Sequence, residues 1–109
     1  MRRLSVLIVV LSLLAVACGG LKKIPLTDAQ KVYQGYWVSG TNFIEIFPDG
    51  SANLQDRGTK VTNGPIRFVE NKIEIKLFGI GKEYSIDKAP AKDGSRWKMT
   101  LSGVEYTKK

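Results

Sequence analysis

The sequence predicts an all-β fold: a small antiparallel meander barrel of about eight strands, entered through a short N-terminal helical turn. Three observations point there. From residue 36 onward, apolar and polar residues alternate with period two. Turn-forming residues recur about every six to ten positions along the same stretch, as short hairpin-linked strands require. No strand–helix–strand alternation interrupts them, so a parallel sheet is excluded.

Taken in order, Thr27 is placed to cap a helical turn through Asp28-Ala29-Gln30-Lys31-Val32-Tyr33, with Asp28 favourable at its positive end. Gly35 ends that turn. Strands are then expected at Tyr36–Ser39, Asn42–Phe47, Ser51–Gln55, Thr59–Thr62, Pro65–Glu70, Lys72–Leu77, Lys82–Asp87, Arg96–Leu101 and Val104–Thr107. The first two form either a hairpin or one strand bent at Ser39-Gly40. Pro48-Asp49-Gly50, Asn63-Gly64 and Asp93-Gly94 supply residues that tolerate positive φ and so predict reversals. Glu70-Asn71, Ser102-Gly103 and Gly79-Ile80-Gly81 are weaker versions.

The alternation also assigns faces. Ile73, Ile75 and Leu77 point one way while Lys72, Glu74 and Lys76 point the other. Ile66 and Phe68, Tyr84 and Ile86, and Trp97, Met99 and Leu101 repeat the pattern. One wet and one apolar face per strand describes antiparallel sheet, and a meander of this length gains by closing on itself because closure removes bare edges.

Gly35-Tyr36-Trp37, a helical turn leading into Gly-x-Trp at the first strand, resembles the signature of the lipocalins and the broader calycins. Phe43-x-Glu45-x-Phe47-Pro48-Asp49-Gly50 is similar to the first hairpin of small bacterial lipocalin-like domains. The resemblance implies that Trp37 packs across one end of a barrel and that Gly35 lets the helical turn approach it. In that superfamily a late arginine stacks on the tryptophan; this chain ends in Lys108-Lys109. The resemblance also implies a barrel interior, for which Trp37, Tyr84 and Trp97 are candidate wall residues.

The first seventeen residues read as targeting rather than fold. Arg2 and Arg3 precede an apolar run, Leu4 to Val16, broken only by Ser5 and Ser12. A permanent span needs about 20 apolar residues, and a charged start with a short apolar stretch and small residues after it describes a secretory signal. Leu14-Ala15-Val16-Ala17-Cys18 resembles the lipobox of bacterial lipoproteins. That resemblance implies cleavage after Ala17 and a diacylglyceryl group on the Cys18 sulfur, with Gly19 favouring the outer membrane, facing the periplasm. The chain is therefore expected to divide into a signal peptide (1–17), an acylated tether (18–27) and a barrel domain (28–109). Cys18 is the only cysteine, so no intrachain disulfide forms.

The composition narrows the chemistry. The chain has no histidine, which removes the usual general base, the serine triads and most transition-metal sites. Acylation removes the one thiol. Asp49 and Asp93 belong to turns, and alternation places Glu45 and Glu74 on solvated strand positions rather than in an inward carboxylate pair. No cofactor, metal site or catalytic residue is expected, and the chain reads as a binding or structural module rather than an enzyme. The formal charge is +7, and loss of Arg2 and Arg3 leaves +5. Such a surface suits anionic headgroups, cell-wall polymers or acidic partners, or simply solubilises a small barrel. Nucleic acid does not fit an exported, tethered chain. Two expectations follow: a filled barrel whose surface binds an envelope protein, or a carrier of a small apolar or amphipathic ligand. Eight strands usually leave room only for side chains, which favours the first.

Overall fold

Period-two alternation becomes eight strands in a computed structural model that describes residues 22–109. The expectations for 1–17 and for Cys18 lie outside the described residues. The strands are β1 (Gly35–Ser39), β2 (Asn42–Ile46), β3 (Ser51–Asp56), β4 (Thr59–Val69), β5 (Lys72–Leu77), β6 (Ile80–Asp93), β7 (Arg96–Leu101) and β8 (Val104–Lys108). Each pairs antiparallel with the next, and β8 returns to β1 through Trp37–Lys108 and Val38–Thr107. The result is the closed meander barrel that the alternation predicts. Within it Trp37, Ile44, Leu54, Ile73, Ile75, Met99, Leu101 and Tyr106 fill the centre, each essentially without solvent contact.

Two segments depart from the strand plan, and a third point that it left open is decided. The region around Ser39-Gly40 is a hairpin and not a bend: Ser39 pairs with Asn42 across Gly40-Thr41. Thr59–Thr62 and Pro65–Glu70 are one strand, so Asn63-Gly64 makes no reversal. Asn63 does take positive φ, at 56°, but spends it on an extra residue in β4 opposite Asn53, where the register with β3 shifts. The displaced Asn63 N–H donates to the Asn53 side-chain oxygen at 2.8 Å, so the bulge leaves no orphan donor. Strand β6 runs on to Asp93 past Ala89-Pro90-Ala91, with two register shifts against β7 on either side of Lys88. Such irregular pairing is where a strand tolerates proline.

The helical turn is a 3-10 turn, Gln30–Tyr33, shorter than expected. Thr27 and Gln30 brace it reciprocally: Gln30 N–H donates to Thr27 Oγ1 at 3.3 Å and Thr27 N–H donates to Gln30 Oε1 at 3.0 Å. Ahead of it, the described part of the expected tether is docked on the barrel. Leu26 is buried in the core, its N–H donates to the Pro48 carbonyl at 3.0 Å, and the Ile24 backbone occupies the space a Cβ on Gly50 would need. Buried Leu26 gives this segment a reason to bind that its loop-like composition conceals.

Candidate functional site

At one end of the barrel, the 3-10 turn and the C-terminal residues converge on Trp37. Its indole N–H donates to the Tyr33 carbonyl at 2.8 Å, satisfying the single polar atom of a wholly buried ring. The Tyr33 ring lies 5.1 Å from that of Phe68 and continues the cover. Lys108 lays its aliphatic stem along Gly35 and holds its ammonium 5.8 Å from the Trp37 ring centroid. The Gly35 φ of 137° would strain any other residue, and a Cβ there would also displace the Lys108 stem.

The opposite end is polar. Asp56, at the close of β3, keeps the inward phase of Ala52 and Leu54 and is buried with them. The Tyr84 hydroxyl donates to Asp56 Oδ2 at 2.8 Å, and exposed Arg57 stands 3.9 Å from the other oxygen. Burial, and next the bond to Asp56, push the Tyr84 phenol far above the usual tyrosine range. Burial first and the Asp56 charge second raise Tyr106 as well. Both phenols therefore stay neutral at physiological pH, and the Tyr84 proton is already committed to Asp56. A half-open cavity of about 180 Å³ sits over them, lined also by Asn42, Arg57 and Lys82. The group can hold a hydrogen-bond network or a few waters.

Of the residues singled out from sequence, Trp37 and Tyr84 are thus buried at different ends of the barrel. Trp97 is not part of the interior: it is 38% exposed although Met99 and Leu101, in the same phase, are buried. Pairing of β7 with β8 begins at Lys98, so the β6–β7 hairpin carrying Trp97 runs beyond the closed wall and has no opposite side to pack on. Glu45 faces outward and accepts a hydrogen bond from Asn53 Nδ2 at 3.2 Å.

The outer face of β1 and β2 carries a feature that alternation does not predict. Tyr36, Val38 and Phe43 occupy the phase that is wet elsewhere. Val38 pairs with Phe43 in register, and the Tyr36 and Phe43 rings lie 5.5 Å apart. Tyr36 remains 39% exposed, and Glu45 and Gln55 border the patch through the strand pairs. Aromatic anchors within a polar rim are the usual anatomy of a protein-binding patch.

Asp56 and the Tyr36–Phe43 pair escaped the sequence reading. Extending the Ala52, Leu54 alternation by one step marks Asp56 as an inward carboxylate. Tyr36, Val38 and Phe43 are apolar residues out of phase with Trp37 and Ile44, which marks the outer patch. No protein-family model, curated protein or solved structure matches the chain.

Proposed function

We propose that this chain is a lipid-anchored, non-enzymatic binding module of the bacterial envelope, lipocalin-like in build, that engages a protein partner through the outer face of β1 and β2. The observation that carries the choice between surface and interior is the filled barrel. Side chains occupy its centre, and the cavity at the polar end, about 180 Å³, is smaller than the roughly 300–1,000 Å³ of ordinary ligand pockets. A carrier of a sizeable apolar molecule would need that centre empty. The Lys108 ammonium over Trp37 supports the lipocalin-like reading, because it places a cation where that superfamily places its late arginine. Anchoring rests on Leu14 to Cys18, and the outer membrane, facing the periplasm, is the location that Gly19 favours.

Two experiments test the parts separately. Replacing Cys18 with Ser should abolish palmitate labelling and leave uncleaved precursor; normal labelling of that variant sinks the anchor. A photo-crosslinking residue in place of Tyr36 should give one discrete protein adduct in intact cells, lost when Phe43 is changed to Ala. The same crosslinker at Lys92 should give none. Absence of an adduct at position 36, with a small molecule co-purifying instead, would return the choice to the carrier.

A further inference from the structure

Five non-glycine residues among those described take positive φ: Arg57, Asn63, Glu70, Phe78 and Ser102. Four are polar, as solvated turns and bulges demand. The fifth is an aromatic residue at φ 53°, in the turn that joins β5 to β6, and it is 77% exposed. A β-carbon is disfavoured in that conformation, and Asn or Gly would serve the turn better. Ile80, on the far side of Gly79, is 60% exposed. The fold gains nothing from either side chain.

Their surroundings indicate what covers them. The tip reads Leu77-Phe78-Gly79-Ile80-Gly81 and is bracketed by Lys76 and Lys82. Lys76 shares its charge with Glu83 at 3.3 Å. The described N-terminal segment starts on the same flank. The Lys23 ammonium donates to the Asn63 side-chain oxygen, and the position of a Cβ on the neighbouring Gly64 lies 3.6 Å from Leu77 Cβ. Only Gly19, Gly20 and Leu21 separate Cys18 from Lys22, a span of at most about 14 Å.

We infer that the Phe78–Ile80 tip inserts into the interface of an anionic bilayer, with Lys22, Lys23, Lys76 and Lys82 turned toward the headgroups. Phe78 and Ile80 are the two exposed apolar side chains of a hairpin tip flanked by lysines. They are the right size to enter the boundary between headgroups and acyl chains, while lysines beside them meet the negative surface. The inference rests on the anchor proposed above for its orientation: a barrel held so close to the membrane has this tip within reach of it.

The test uses the full chain, processed in bacteria and reconstituted into phosphatidylglycerol-containing vesicles at high lipid excess. A polarity-sensitive dye is attached at Ile80→Cys or, at the opposite end of the barrel, at Ser95→Cys. At position 80 the emission should shift to the blue and be quenched by nitroxide-bearing lipids, and both effects should shrink on zwitterionic vesicles. Phe78→Asp in the same background should abolish them. At position 95 the emission should stay water-like. Dye uptake by the wild-type chain shows a free Cys18 and defeats the anchor alone. Water-like emission at position 80 overturns the insertion, whether or not the chain is anchored.

Discussion

Lys108 and Trp37 face each other across the seam that closes the barrel, as register partners between β8 and β1 with the ammonium 5.8 Å from the ring centroid. The pair joins the last strand to the first at the point where the 3-10 turn also arrives, through the bond from the indole to Tyr33. One side chain thus touches the N-terminal turn, the first strand and the last.

Truncation of Trp37 is accordingly expected to be severe. Trp37→Ala should cost about 3–5 kcal/mol, most of what a domain of this size has to lose. Trp37→Phe keeps much of the packing but strands the Tyr33 carbonyl, at about 1–3 kcal/mol. Lys72→Ala, on the wet face of β5, should change stability by about 0.5 kcal/mol or less. Urea denaturation ranks the three, and a wild-type midpoint for Trp37→Ala would contradict the packing described.

Lys108 separates charge from stem. Lys108→Met retains an aliphatic chain beside Gly35 and loses only the cation over the ring, worth about 0.5–1 kcal/mol. Lys108→Ala loses both and should be the less stable of the two. Equal midpoints for the two variants would show that the stem contributes nothing, and a native midpoint for Lys108→Met would show the same of the cation.

Alkaline pH provides a third check. Tyr84 and Tyr106 have folded-state pKa values raised by burial and by Asp56, and burial raises Tyr33. A phenol whose pKa is raised by folding contributes stability below its unfolded value, about 10, and loses it as the pH climbs from there toward the folded value. Stability should therefore fall above about pH 10, and the phenolate absorbance of these three residues should appear together with unfolding. Tyr84→Phe should flatten the alkaline decline and, by leaving the buried Asp56 carboxylate without its donor, cost about 1–3 kcal/mol at neutral pH. Phenolate absorbance from Tyr84 in a chain that is still folded would refute the network.

Phe78→Asn tests the turn in isolation from any membrane. Asn accepts positive φ and is at home in water, so the variant should be as stable as the native chain or more stable, by about 0.5–1 kcal/mol. A clear loss in thermal denaturation would mean that Phe78 supports the fold.

What the sequence made legible follows from periodicity. Ile73, Ile75, Met99 and Leu101 announce their phase, and the barrel and its strand order come from that signal, while the expectation for Trp37 comes from the resemblance at Gly35-Tyr36-Trp37. The misreadings have a common cause: a residue that permits an unusual backbone does not say which one it will adopt. Asn63-Gly64 permits a reversal and supplies a bulge. Trp97 is in phase with the core but lies where the wall has stopped. The outer Tyr36–Phe43 pair and inward Asp56 violate the binary pattern, and such violations become informative only once the pattern itself is secure.

The docked segment ahead of the 3-10 turn has a mechanical consequence. Leu26 is pinned to Pro48, and Ile24 lies against Gly50, both at the reversal between β2 and β3. Tension applied upstream of Lys22 first meets β4, where Arg67 donates to the Lys22 carbonyl and Asn63 accepts from the Lys23 ammonium, and only then reaches this reversal. Those two side-chain bonds bear the load before the Leu26–Pro48 bond does, so the segment can loosen from its upstream end while the barrel stays shut. A pull from that side is thus met by contacts along residues 22–26 before it reaches β1.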